Sequence, residues 1–227
     1  MRLVALIGSP VAQSLSPRMQ NAAFAVRGLD WHYVACNVEA ARLEAAVRGL
    51  DALGFAGANV TAPYKRDVAR LVETELESVN TLLFDPPRGF STDAAILDGL
   101  EFERPAIIGD GGAAAAFRHA LPGARVFSRR TDWPPDVGSA DLVVNATPVR
   151  DEVLAELDAG QTLIDLPYPD SATAAAARQA GARVLGGLDV LVAQGAASFE
   201  LWTGVPAPVE LMRRAVGLTR AEPDHSG

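Results

Sequence analysis

The strongest constraint on the fold is an alternation of strand-like and helix-like segments along most of the 227-residue chain. Apolar residues that alternate predict strands, and apolar residues repeated every three or four positions predict helices. In the first quarter the strands are expected at 2–7, 31–38 and 53–58, with helices after Ser16 and at 39–49. Strands that are joined through helices run parallel with right-handed crossovers, so we expect an α/β fold with a mainly parallel sheet.

The first helix has both a start signal and a stop signal. Ser16 suits the N-cap, where its hydroxyl can accept a bond from a free backbone N–H, and Pro17 suits the first helical position. Gly28 is expected to end this helix.

Composition excludes several classes of function. The longest apolar run falls short of the ~20 residues that cross a bilayer, and a net charge of −8 argues against binding nucleic acid or an acidic membrane. The single Cys36 excludes an internal disulfide, and the scattered His32, His119 and His225 make a metal site unexpected. We therefore expect a cytoplasmic protein without a metal.

The stretch from Gly57 to Lys65 combines an amide, a hydroxyl and an ammonium group within a short turn. Pro63 stiffens this turn, which leads from a strand to a helix. Such turns face the crevice at the carboxyl end of an open α/β sheet, where ligands usually bind. The competing interpretation is a capped turn with a lysine on the surface.

A change of rhythm follows at residues 80–93. A short strand at 80–84 is followed by a turn at 85–89 and then by Thr92 and Asp93. Either of these two side chains suits the N-cap of a helix that would bury Ile96. Asp93 is therefore either a cap or a functional carboxylate.

A second unit begins near Arg104 with a short buried strand at 105–108. Gly109, Asp110, Gly111, Gly112 and Ala113 follow and lead into an alanine-rich helix. A glycine-rich turn between a strand and a helix lets a pyrophosphate approach the backbone at the helix N-terminus, as in Rossmann-like folds.

The end of the next strand indicates the cofactor. About 20 residues beyond the glycine-rich turn, where an acid would bind the ribose of NAD, the chain has Arg129, Arg130 and Thr131. Paired arginines suit a 2′-phosphate and favour NADP. The alternative is two solvated surface arginines, and NAD remains possible.

The rest of this unit is expected to be trimmed. Residues 132–138 contain two consecutive prolines and cannot form a regular crossover helix, and Asp110 brings a negative charge into the phosphate loop. The remaining predicted elements are strands at 141–144, 162–164 and 183–185, helices at 172–180, 188–199 and 207–218, an interruption at 202–204 and a frayed tail at 221–227.

Several of these stretches together resemble the shikimate dehydrogenase family, in the same order and over nearly the whole chain. The similar stretches are Gly8–Pro17, Gly57–Lys65, Val79–Leu82, Thr92-Asp93, Gly109–Ala114, Arg130-Thr131, Asn145–Thr147 and Ser198–Gly204. The chain departs from the family pattern at Gln20, Glu77, Ser78, Ser91, Asp110, Arg129 and Val190, and it is shorter than is usual.

The resemblance implies two α/β domains with the active site in the cleft between them. Residues 1–98, completed by helices within 196–227, would form the substrate domain, and 99–195 a Rossmann-like NADP domain. The reaction would be the reversible NADP-dependent reduction of 3-dehydroshikimate to shikimate, by a monomer or a homodimer.

The resemblance also implies roles for individual residues. Lys65 would give and take the proton beside Asp93. The expected substrate contacts are Ser14, Ser16, Asn59, Thr61, Lys65, Asn80, Asp93, Tyr168 and Gln194. The expected cofactor contacts are Gly109, Asp110, Gly111, Gly112, Ala113, Arg129, Arg130, Thr131, Ala146, Thr147, Leu166 and Gly187. Two alternatives stay open, namely a relative that oxidises quinate or another polyol with NAD, and a binding protein that has lost catalysis.

Overall fold

The computed structural model describes residues 1–84 and 86–218, and in this part of the chain two five-stranded sheets form. The first sheet has the order β2-β1-β3-β4-β5. Its strands are β1 Arg2–Gly8, β2 Trp31–Asn37, β3 Gly57–Val60, β4 Thr81–Leu83 and β5 Arg88–Phe90. The first three strands are parallel, as predicted, and β4 and β5 add an antiparallel hairpin.

Three helices accompany the first sheet: α1 Ser16–Val26, α2 Leu43–Ala52 and α3 Lys65–Ala69. The expected strand at 53–58 begins only at Gly57, because Gly54 adopts a left-handed conformation (φ 75°) that turns the chain out of α2. Leu53 is consequently exposed rather than buried.

The second sheet is parallel throughout and has the order β10-β9-β8-β6-β7. Its strands are β6 Pro105–Ile108, β7 Arg125–Phe127, β8 Leu142–Asn145, β9 Thr162–Asp165 and β10 Arg183–Leu185. Its helices are α4 Gly112–Ala120 and α5 Ala172–Gln179. The prediction of a missing crossover helix between β7 and β8 is confirmed, and the connection from β8 to β9 also lacks a helix, which was not predicted.

Helix α6, Gly187–Thr203, connects the two halves of the molecule, and α7, Val209–Ala215, follows it. Val190 packs in the core of the second sheet, whereas Phe199 and Trp202 pack in the core of the first. The interruption expected at 202–204 was placed too early, because α6 continues to Thr203 and ends at Gly204, which has a φ of 68°.

Within residues 1–84 and 86–218, no helix is both long enough and apolar enough to cross a membrane. The tail predicted at 221–227 lies outside the described residues, as does Asp85 in the predicted turn.

Candidate active site

A cavity of about 200 Å³ lies at the carboxyl ends of β1 and β3. All nine residues expected to contact the substrate line it: Ser14, Ser16, Asn59, Thr61, Lys65, Asn80, Asp93, Tyr168 and Gln194. They come from β3, α1, α3, α6 and connections that include the one after β9, so the fold brings together residues that are far apart in the sequence. The apolar lining of this cavity was not predicted; it consists of Leu6, Val60, Val190, Leu191 and Leu166, of which Leu166 had been expected to contact the cofactor.

A paired lysine and carboxylate form the reactive part of this cavity. Lys65 Nζ lies 2.7 and 2.6 Å from the two carboxylate oxygens of Asp93. The Lys65 and Asp93 side chains are only 16% and 9% exposed. Lys65 begins α3 directly after the Pro63 turn, and its carbonyl accepts a bond from Val79 N at 2.9 Å. The lysine is therefore not the solvated surface residue of the competing interpretation.

Asp93 does not cap a helix. The segment after it forms only a 3₁₀ turn, Ala95–Leu97, without a bond from a capping side chain. Its carboxylate instead accepts bonds from Lys65 and, at 2.9 Å, from Asn80 Nδ2. Asn80 is in turn fixed by the backbone N–H of Thr92, which donates to its Oδ1 at 2.7 Å.

A buried polar layer lies beneath the pair. Asn59 Nδ2 donates to the hydroxyls of Thr81 and Ser198 at 3.0 Å, and its Oδ1 accepts from the Tyr33 hydroxyl at 2.8 Å. Because protein groups occupy both ends of its amide, Asn59 is built to support the cavity wall. Ser198 was recognised only as part of a motif. Its spacing of four residues from Gln194 places both on one face of α6 and was an available signal.

The hydroxyls of Ser14, Ser16 and Tyr168 line the cavity on another side. The prediction that Ser16 caps α1 is wrong, because Leu15 occupies the cap position and makes no capping bond with its side chain. The Ser16 N–H instead donates to Ser14 Oγ at 3.2 Å, in a local turn. The Ser16 hydroxyl is thereby left to face the cavity.

Alkaline pH tests the burial of the tyrosines. Burial raises the pKa of Tyr33 and, partly offset by a bond to Ser14, that of Tyr168. The ordinary pKa of a tyrosine is about 10. Because the pKa of Tyr33 is higher in the folded protein, its protonated hydroxyl stabilises the fold fully below pH 10, and this contribution is lost as the pH rises above that value. We expect the Tyr33 phenolate to appear only as the protein unfolds. Absorbance titration of the protein and of Tyr33→Phe would measure this, and a Tyr33 phenolate in folded protein near pH 10 would contradict it.

A second cavity of about 200 Å³ lies at the carboxyl ends of β6 and β7. It is lined by Gly109, Asp110, Ser128, Arg129, Arg130, Trp133, Thr147, Val149 and Leu154. Gly109 has a φ of 123°, which a residue with a side chain rarely adopts, and a Cβ on Gly111 would meet nothing within 4 Å. Gly111 precedes α4 and provides no side chain to bond its first N–H groups. Open glycine backbone, a free helix N-terminus and arginines fit a dinucleotide phosphate.

The two arginines of this cavity each have an acidic partner. Arg130 Nε lies 3.5 Å from Asp110 Oδ2, and Arg129 pairs with Glu152. The Arg129 guanidinium carbon also lies 5.3 Å from the centre of the Trp133 ring. Sequence reasoning had not singled out Glu152 or Trp133, which come from the two connections that lack a helix.

The other predicted cofactor residues occupy different places. Leu166 and Gly187 line the first cavity, where a Cβ on Gly187 would come within 2.3 Å of Pro167 O. Gly112 packs against the stem of Lys65, because a Cβ on it would come within 2.9 Å of Lys65 Cβ. Ala113 continues α4, Ala146 packs its backbone against Gly109, and Thr131 closes a turn with Ser128 at 3.0 Å.

No group of three His, Cys, Asp or Glu residues in the described part of the chain could hold a metal ion. The only cysteine of the chain, Cys36, is half-buried on β2.

Comparison with known proteins identifies the family. A curated shikimate dehydrogenase (NADP(+)) from Anaeromyxobacter sp. strain Fw109-5 is 41% identical over 265 aligned positions, which take in 94% of this chain and 95% of the relative. The chain belongs to the shikimate dehydrogenase family. The model of the shikimate dehydrogenase substrate binding domain matches residues 6–82, and that of the shikimate 5'-dehydrogenase C-terminal domain matches 187–216.

Solved shikimate dehydrogenases share the fold. One in complex with NADP+ has a TM-score of 0.88 at 27% identity, covering 95% of this chain and 94% of that one. The Thermus thermophilus enzyme in complex with NADP(H) and shikimate has a TM-score of 0.82 at 28% identity, covering 95% and 98%. The predicted two-domain α/β fold and membership of a family of oxidoreductases are thus confirmed. Because the 265 positions exceed the 227 residues of this chain, relatives contain stretches that it lacks.

Proposed function

We propose that this member of the shikimate dehydrogenase family interconverts 3-dehydroshikimate and shikimate with NADP, using Lys65 to give and take the proton. The observation that carries the proposal is the Lys65–Asp93 pair, held at 2.6–2.7 Å in a cavity that all nine expected substrate residues line. Relatives and solved neighbours named as NADP-dependent shikimate dehydrogenases support the same reaction.

NADP, when bound, supplies or accepts the hydride, and Gly109, Gly111, the start of α4 and the two arginines would hold it. Reducing a ketone leaves negative charge on its oxygen, and a positioned acid must protonate it. An ammonium group has three N–H donors. Two of the Lys65 donors are occupied by Asp93, so one remains for the oxygen of the substrate. In the oxidation direction Lys65 must start as the neutral amine, and its nitrogen then accepts the hydroxyl proton.

Asp93 would have two roles, one towards Lys65 and one towards the substrate. Its carboxylate fixes the Lys65 ammonium, and the bond from Asn80 at 2.9 Å fixes the carboxylate. Asp93 would also accept a bond from a substrate hydroxyl next to the reacting carbon. Asn59 belongs to the supporting layer and acts through its neighbours.

Recognition of the substrate follows from the remaining polar groups. The hydroxyls of Ser14, Ser16 and Tyr168 would bind its carboxylate, and Thr61 and Gln194 its ring hydroxyls. A substrate analogue that lacks a hydroxyl group should bind poorly, because the polar protein groups that bond this hydroxyl are then buried without a hydrogen-bond partner. We expect a strict preference for hydroxylated ring acids.

We also propose how the chain divides. The first sheet would form the substrate domain, roughly residues 1–98, and the second sheet would form the NADP domain within 99–195. We propose that the chain returns to the substrate domain within α6, and the packing of Leu191 and Val192 in the core of the first sheet supports a return before residue 196. We propose a cytoplasmic enzyme, active as a monomer or a homodimer.

The test is turnover by the purified protein with shikimate or quinate and NADP⁺ or NAD⁺, followed by absorbance of the reduced cofactor. We expect the highest kcat/KM for shikimate. Faster oxidation of quinate would assign the chain to the alternative substrate. No turnover with any pair would overturn the proposal and leave a binding protein.

A further inference from the structure

Each of the two arginines that line the second cavity is paired with a carboxylate. Arg129 and Arg130, which would bind a 2′-phosphate, face Glu152 and Asp110 as partners. Asp110 follows Gly109 in the phosphate loop, yet its carboxylate lies against Arg130 at the end of β7. In Rossmann-like folds this strand end is where an acid binds the ribose hydroxyls of NAD.

We infer that Asp110 and Glu152 determine cofactor selectivity by holding the two arginines, so that this chain discriminates only weakly between NADP and NAD. The inference rests on the proposed function, since it takes the second cavity as the site of the adenosine end of the cofactor. It assigns Asp110 a role that the glycine-rich motif does not contain.

The physical argument compares the two cofactors at one position. A 2′-phosphate carries nearly two negative charges. It must therefore compete with the two carboxylates for the arginines, and it would still lie near the negative charge of Asp110. A 2′-hydroxyl can instead donate a hydrogen bond to that carboxylate. Asp110 and Glu152 thus lower the affinity for NADP, and Asp110 adds a contact for NAD.

The exposure of these pairs sets the size of the effect. Arg130 is 83% exposed and Asp110 44%, and the pair of Arg129 with Glu152 is about half exposed. Solvent weakens such pairs, so each opens readily and neither excludes NADP. We expect each acid to change affinity by about 2- to 5-fold, which corresponds to the energy of an exposed or partly exposed pair.

The experiment measures binding by calorimetry with two probes that contain only the adenosine end, 2′,5′-ADP and 5′-ADP. We expect the intact protein to bind 2′,5′-ADP no more than about 10-fold more tightly. Asp110→Asn and Glu152→Gln should each strengthen binding of 2′,5′-ADP by about 2- to 5-fold at low salt, and should leave binding of 5′-ADP unchanged or weaker. Trp133 fluorescence provides a second reading, because its ring lies beside Arg129.

Glu44→Gln is the matched control, since it removes an exposed carboxylate that pairs with Arg48 on α2 at 2.6 Å. It should change neither affinity, which separates local pairing from total charge. A preference of the intact protein above about 100-fold for 2′,5′-ADP would overturn the inference. So would unchanged affinities in both variants, equal gains for both probes, or failure to bind either probe. Binding requires no turnover, so a failure of the proposed reaction would appear separately in the shikimate assay.

Discussion

Replacing Lys65 by methionine is expected to lower kcat by about 100- to 10,000-fold, the range typical for loss of a positioned acid or base. The KM for shikimate should change much less, because hydroxyls and amides from other elements also line the cavity. The reason is geometric: Lys65 is the only residue lining this cavity with an ammonium group, and Asp93 holds it at 2.6–2.7 Å. Steady-state kinetics with shikimate and NADP⁺ would measure both quantities.

Two further variants separate proton transfer from electrostatics. Lys65→Arg keeps a positive charge beside Asp93, but a guanidinium does not release its proton in the working pH range. It should therefore be almost as impaired as the methionine variant, whereas recovery of turnover would mean that Lys65 acts only through its charge. Arg70→Met is the matched control, since Arg70 follows α3 and pairs with Asp67 in an exposed position. It should leave turnover unchanged.

The polar lining of the first cavity was the part best predicted from the sequence. Seven of the nine predicted residues lie within a short motif, Tyr168 and Gln194 being outside, and parallel strands place their carboxyl ends at one edge, where such motifs meet. Sequence alone left Lys65 and Asp93 with local alternatives, a surface lysine and a helix cap. Only their contact, made between residues 28 positions apart, removes those alternatives.

What could not be predicted depends on side-chain direction and on distant packing. The orientation of Asp110 towards Arg130 follows from how the loop leaves β6, which local sequence does not determine. Gly112 was expected to contact a phosphate, yet a Cβ on it would lie 2.9 Å from Lys65 Cβ, so the start of α4 packs against Lys65. The helix predicted at 188–199 continues to Thr203, because Trp202 packs in the first core and Gly204 is the residue that ends the helix.

Gly57→Ala is expected to be the most destabilising single-methyl change in the first sheet. A Cβ at this position would lie 2.3 Å from Leu82 O and 2.4 Å from Trp202 Nε1, so strand or indole must move. A shift of either group breaks the 2.9 Å hydrogen bond from Trp202 Nε1–H to Leu82 O, which joins α6 to β4. Overpacking together with a lost buried bond costs about 2–4 kcal/mol. For a chain of this size we expect the Tm to fall by roughly 5–15 °C, as measured by calorimetry or circular dichroism.

A double variant tests whether the clash with the Trp202 indole accounts for the loss of stability in Gly57→Ala. Trp202→Phe removes the N–H and part of the ring, so Gly57→Ala should cost less in that background than in the natural chain, as residues in contact do. Gly49→Ala is the control of opposite sign, because a Cβ in α2 meets nothing within 4 Å and should stabilise the helix by up to about 1 kcal/mol. Additive effects of Gly57→Ala and Trp202→Phe would contradict the argument. Because β3 carries Asn59 and α6 carries Gln194, the contact at Gly57 also joins two elements that line the first cavity, so its loss should disturb the cavity as well as the fold.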